Sequence, residues 1–160
     1  MTDTMERTEI VEAPYEIVQL GTIETTGPQD VINRGVELAD RLADIVTKRR
    51  LFVPIKGRKY VKVEGWTALG ALIGILPREV EGMTQLHEST GDYEATVELI
   101  RATDGAVVGR ASSTCGTDEP RWADKPRYAR RSMAVTRATG KAYRLGFSWI
   151  MALAGYEPTP

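Results

Sequence analysis

Residues 93–115 read "YEATVELIRATDGAVVGRASSTC". Tyr93, Ala95, Val97 and Leu99 alternate with Glu94, Thr96 and Glu98, the period of two that gives a strand one apolar face. Asp104-Gly105 is the signal of a two-residue hairpin turn, so the chain should return as an antiparallel strand. That returning strand, with Gly109 and several small residues, shows no clean apolar face.

On the C-terminal side, "GTDEPRWADKP" (116–126) reads as a polar loop. A long helix is then expected from about Arg127 to Ala154. Ala134, Ala138 and Ala142 recur every four residues on one stripe, where small side chains permit close packing against a sheet. Leu145, Trp149 and Leu153 should continue that buried side. Gly140 sits in the helix interior, where glycine costs about 1 kcal/mol relative to alanine. Its presence is explained either by a kink or by another backbone passing close by.

On the N-terminal side, "REVEGMTQLHE" (78–88) is expected to be a strand. "EGWTALGALIGIL" (64–76) reads as a helix with Leu69, Leu72, Ile73 and Leu76 inward, weakened by Gly74 and ended by Pro77. "LFVPI" and "KYVKV" are strand candidates flanking a basic turn, Lys56-Gly57-Arg58. A helix from about Val31 to Val46, N-capped by Asp30, should bury Ile32, Val36, Ala39, Ala43 and Val46. Residues 1–28 would form an arm or edge strand. The order is helix, hairpin, helix, three-stranded meander, long helix. It is an α+β pattern: an antiparallel sheet with helices packed on one face, in one domain spanning 1–160.

The chain has 160 residues, 42% of them hydrophobic and 27% charged, the balance of a soluble globular protein. Cys115 is the only cysteine, so no intramolecular disulfide can form. No apolar run approaches the length of a membrane helix. The N-terminus lacks the basic start and apolar core of a signal peptide. A cytoplasmic protein is expected.

The net charge is −1, but residues 47–62 and 121–144 hold 15 of the 21 Lys and Arg and only one acid, Asp124. Such asymmetry marks a basic surface on an acidic body. On the last helix Arg130, Arg137, Lys141 and Arg144 share one face. Lys125, Arg127 and Arg131 lie beside them, and Lys56, Arg58 and Lys59 lie in the hairpin. Cations in such numbers bind phosphate regardless of base sequence. Trp122, Tyr128 and Tyr60 lie within or beside these windows and could stack on unpaired bases. Trp122, in the polar loop among charges, is the best placed of the three.

Catalytic chemistry finds little support. His87 is the only histidine, so no zinc set exists. Asp118, Glu119 and Asp124 could approach a divalent metal, but acids in a polar loop are ordinarily just solvated. Ser112 and Ser113 have no histidine near them in sequence. The lack of a Walker-type phosphate loop argues against ATP-driven strand exchange.

Three stretches together resemble the Rad-fifty-two and Erf superfamily of single-strand annealing proteins, which includes short phage recombinases. They are "KYVKVEGWTALGALIG", "YEATVELIRATDGAVVGRASSTCGTDE" and "AVTRATGKAYRLGF", in an order and spacing that cover roughly residues 50–155. The resemblance implies a β-β-β-α core and assembly into rings or filaments. It implies that single-stranded DNA lies in an outward-facing basic groove with its bases exposed for pairing. Lys141 and Arg144 match the family's groove cations on the last helix, and Lys59 matches a basic strand position. A further helix cation of the family falls on Gly140, leaving Arg137 as its substitute. The chain ends at "GYEPTP", so the recombinase-binding tail of larger members is not implied.

The expectation is ATP-independent binding and annealing of single-stranded DNA, in recombination and repair, by a homo-oligomer without cofactor or metal. The setting would be a bacterial cytoplasm, on behalf of a phage, and a single-strand-binding protein or exonuclease of host or phage is a candidate partner. The helix at 31–46 and the N-terminal arm are candidate joints between copies. A scaffold module with the same fold is the alternative, and a metal-dependent nuclease is a distant third.

Overall fold

The computed structural model describes residues 19–158. The elements in order are β1 (Gln19–Leu20), β2 (Ile23–Glu24), α1 (Pro28–Lys48), β3 (Phe52–Ile55), β4 (Arg58–Val61), α2 (Val63–Ile73), β5 (Ile75–Glu79), β6 (Gln85–His87), β7 (Asp92–Arg101), β8 (Val107–Cys115) and α3 (Arg127–Leu153). The protein is α+β, with antiparallel sheets and a long C-terminal helix, as expected. Of the arm expected over 1–28, residues 1–18 lie outside the described residues. Residues 19–24 form the small β1–β2 pair.

β7 is the centre of the main sheet. β8 pairs along one of its edges, and β5 and β6 share the other. The strand expected over 78–88 is thus two short pieces separated by a turn around Gly82. The meander stands, with its first strand interrupted. The turn between β7 and β8 is not the two-residue turn expected at Asp104-Gly105. Arg101 and Ala106 close a loop of residues 102–105, with Arg101 N–H on the Ala106 carbonyl at 2.9 Å. Asp104 Oδ1 accepts from Ala106 N–H at 3.0 Å and from Arg101 Nε at 3.1 Å. These bonds favour the longer loop, in which Gly105 alone takes positive φ (+71°), whereas a two-residue turn of that type needs two such residues. Val108 is an extra residue between the Leu99–Gly109 and Ile100–Val107 pairs. That bulge is why β8 shows no clean alternation in sequence.

Ala95, Val97 and Leu99 are buried on the face that α3 covers. The opposite face is polar, yet Thr96 and Glu98 are buried there too. Thr96 shares a 2.8 Å hydrogen bond with Ser112. Glu98 lies between Arg78, at 2.8 Å on β5, and Arg110 on β8. Its carboxyl titrates below the usual range because both guanidiniums donate to it.

α2 ends earlier than expected. Gly74 takes a left-handed cap conformation (φ 66°) and stops the helix at Ile73. Pro77 therefore lies in β5 rather than terminating a helix. Val80 N–H donates to Thr96 at 3.0 Å, so the alternation places the Pro77 nitrogen on the unpaired side of this edge strand, where no donor is needed. Leu69 and Ile73 are buried as expected, but Leu72 and Leu76 are exposed. The helix turns only its Gly65, Trp66, Leu69, Gly70 and Ile73 face inward.

α1 begins at Pro28, and Asp30 lies in its first turn rather than at the cap. Asp30 Oδ2 accepts from Thr26 N–H at 3.0 Å, reaching back over the helix start. The buried face is Gly35, Leu38, Ala39, Leu42 and Val46, while Ile32 and Val36 are exposed. Gly35 decides this rotation. A Cβ there would stand 2.3 Å from the Trp149 ring, so α1 packs on α3 through its bare backbone.

The Ala134, Ala138 and Ala142 seam of α3 is buried as expected. Ala134 and Ala138 pack with Ala95, Val97 and Cys115. Beyond Ala142 the buried side rotates to Tyr143, Ile150 and Met151, which join the core formed with α1 and α2. Leu145, expected on that buried side, is instead 69% exposed. Leu153 is also exposed, and Trp149 is half-buried against α1.

Candidate nucleic-acid interface

β8 is an outer strand, and cations of α3 reach over its free edge. Arg137 Nη1 donates to the Thr114 carbonyl at 2.9 Å, and Lys141 Nζ donates to the Ser112 carbonyl at 3.1 Å. One helical turn of about 6 Å separates the two side chains, close to the rise of two strand residues. Arg144 is the next cation along. It is half-buried, and among the described residues no acid or hydrogen-bond acceptor meets it. Burial lowers its pKa, and no counter-charge opposes that shift. Lys141, Arg144, Leu145, Ser148 and Pro158 line an open hollow of about 320 Å³.

Gly140 belongs to this arrangement. It is buried, and the nearest atom to a Cβ built on it is Nη1 of Arg144, at 3.8 Å. Among the described residues its bare face accommodates the Arg144 side chain rather than another backbone.

The C-terminal segment links the helix to the β3–β4 hairpin. Glu157 N–H donates to the Lys59 carbonyl at 2.9 Å, and the next residue, Pro158, lines the Arg144 hollow. Lys59 Nζ sits 5.2 Å from the centre of the Phe52 ring. The basic turn expected at Lys56-Gly57-Arg58 narrows to Lys56-Gly57, both with positive φ (+49° and +80°), as a two-residue turn requires; Arg58 starts β4, paired with Ile55. Arg58 lies 4.0 Å from Glu157.

Several expected site residues have other duties. Arg130 is buried, with Nη1 donating to the Lys125 carbonyl and Nε without a partner among the described residues, so it is not available at the surface. Trp122 packs against the small-residue core around Ala95 and Cys115 and is not a free stacking ring. Arg131 pairs with Glu79. Arg137 is gripped by Glu119, with Nη1 to Oε1 at 2.6 Å and Nη2 to Oε2 at 2.5 Å. Lys125 and Arg127 are exposed. So is Tyr128 (74%), which makes it, rather than Trp122, the accessible aromatic of this region. The Glu119 counter-ion and the β8 edge carbonyls escaped the sequence reading, because no periodicity links them to α3. Among the described residues, no group of three or more His, Cys, Asp or Glu could hold a metal ion.

The Arg137 fork and Gly116 N–H, at 3.1 Å, hold Glu119 at a pKa of about 2, against 4.5 for an unperturbed glutamate. Its folded-state pKa is depressed, so the stabilisation is complete above the ordinary glutamate range. It is lost as pH falls from about 4.5 towards about 2. The melting temperatures of wild type and Glu119→Gln are expected to differ at pH 7 and to converge over that acid window. A gap that persists to pH 2 would assign the effect to another group.

Comparison with protein-family models, curated proteins and solved structures found no match. No helix of the described residues is long and apolar enough to cross a membrane.

Proposed function

We propose that the protein binds single-stranded DNA through its phosphates and anneals complementary strands without ATP, acting as a homo-oligomer in a bacterial cytoplasm. The observation that carries this reading is Arg144. A half-buried guanidinium with no acid against it among the described residues calls for an anion from outside, and its fixed fork suits a phosphate. Lys141 stands one turn before it, and Lys59 is tied to the same hollow through Glu157 and Pro158. Leu145 and Pro158 give the hollow an apolar wall for a sugar or base. Such a site grips the backbone and leaves base edges free for a second strand, whose stacking then drives pairing. A single-strand-binding protein or exonuclease would supply or protect the strand.

Labelled complementary oligonucleotides should anneal in the presence of the protein without nucleotide or metal, and the protein should sediment as an oligomer on a long strand. Binding should be insensitive to sequence. Its log affinity should fall linearly with log salt, at about −0.7 per neutralised phosphate. An affinity that stays flat between low and moderate salt would reject the phosphate mechanism.

A further inference from the structure

Glu119 stands where a phosphate would stand. Both of its oxygens meet the two terminal nitrogens of Arg137 in the parallel, two-bond geometry that arginine offers to carboxylates and phosphates alike. Both side chains are one-third exposed, so an incoming anion can reach the pair. Two features separate it from a simple staple. Arg137 keeps its bond to the Thr114 carbonyl independently of Glu119, so the guanidinium stays aimed when the carboxylate leaves. The Glu119 main-chain carbonyl accepts from Trp122 and Ala123 at 2.8 and 2.9 Å, and Trp122 is packed into the core. The loop backbone therefore holds while the side chain swings, giving up the 3.1 Å bond it accepts from Gly116 N–H.

We infer that Glu119 is a built-in competitor: its carboxylate occupies Arg137 until a nucleic-acid phosphate displaces it, extending the row of Lys141 and Arg144 by one contact. The inference rests on the reading that α3 seats a nucleic-acid backbone. It assigns Glu119 a regulatory role in that site, setting how strongly an anion must bind before Arg137 is recruited.

The test titrates a labelled single-stranded oligonucleotide into wild type, Glu119→Gln, Glu119→Asp, Asp118→Asn, Arg137→Ala and the Arg137→Ala/Glu119→Gln double variant. Thermal melting confirms that each is folded. Glu119→Gln is expected to tighten binding about three- to fivefold, the strength of an exposed ion pair, and to steepen the salt slope by about 0.7. Glu119→Asp keeps the charge but shortens the reach, and should also tighten binding. Asp118→Asn removes the same charge from an exposed neighbour without contact to Arg137 and should change affinity less than Glu119→Gln. The double variant should bind no more tightly than Arg137→Ala. Wild-type binding with Glu119→Gln equal to or weaker than Asp118→Asn, or a gain that survives without Arg137, would overturn the competitor role alone. No binding by wild type would overturn the reading beneath it, and the inference with it.

Discussion

Replacing Lys141 and Arg144 together with alanine is expected to lower affinity for single-stranded DNA about 100-fold while leaving the fold intact. Each charge-assisted hydrogen bond contributes about 1.5–3 kcal/mol, and two at the lower figure amount to roughly 3 kcal/mol, or two decades of affinity. The fold should tolerate the loss. Lys141 is exposed, and the Ser112 carbonyl it covers lies at a sheet edge that water can reach. Among the described residues Arg144 has no partner to abandon, and its removal relieves the burial of its charge. Oligonucleotide titration beside thermal melting separates the outcomes. Parental affinity would take these cations out of the interface, and a collapsed melting temperature would make them structural.

The largest effect on stability is expected from Gly70→Ala. Alanine gains about 1 kcal/mol over glycine in a helix interior, so propensity alone forecasts stabilisation. The surroundings reverse it. A Cβ on Gly70 would lie 2.2 Å from the Tyr143 hydroxyl and 2.4 Å from the Ile75 carbonyl oxygen. Those two atoms share a buried 2.8 Å hydrogen bond that joins α3 to β5 beside α2. Separating them costs about 1–3 kcal/mol for the stranded polar groups, and the crowding adds about 1–3 kcal/mol. A net loss of about 3 kcal/mol should lower the melting temperature by roughly 6–12 °C. Gly146→Ala, with nothing within 4 Å of its Cβ, is the contrasting case and should leave stability unchanged or raise it. Equal melting temperatures for the two variants would contradict the packing described around Tyr143.

What the sequence made legible was local. The basic turn around Gly57 could be read because two strand-like runs flank it, and glycine there supplies the positive φ that the turn demands. The Ala134, Ala138 and Ala142 seam could be read because small residues at helical spacing have few other uses. The errors came where distant elements decide. α1 turns Gly35 inward because Trp149, more than a hundred residues later, needs its space. Leu145 fits the apolar stripe by periodicity, yet the buried side has rotated to Tyr143, Ile150 and Met151 and leaves it exposed. Trp122 looked free among charges, yet it packs against the small-residue core of Ala95, Val97 and Cys115, a pairing that its local sequence does not show. In the candidate interface, Lys141 and Arg144 could be singled out by charge and helical spacing and Lys59 by the family resemblance; Lys141 and Lys59 are exposed and Arg144 is half-buried. The carboxylate on Arg137 comes from a loop 18 residues away, a pairing that no pattern announces.

The sheet also sets the geometry any assembly must obey. One border of β7 is served by two short pieces with a turn between them, and along the other the β8 carbonyls at Ser112 and Thr114 are already taken by Lys141 and Arg137. A strand from a neighbouring copy would find a broken template on one side and occupied acceptors on the other. Copies of this chain that join are therefore expected to leave these two borders of the main sheet unmerged, and to meet elsewhere on the protein.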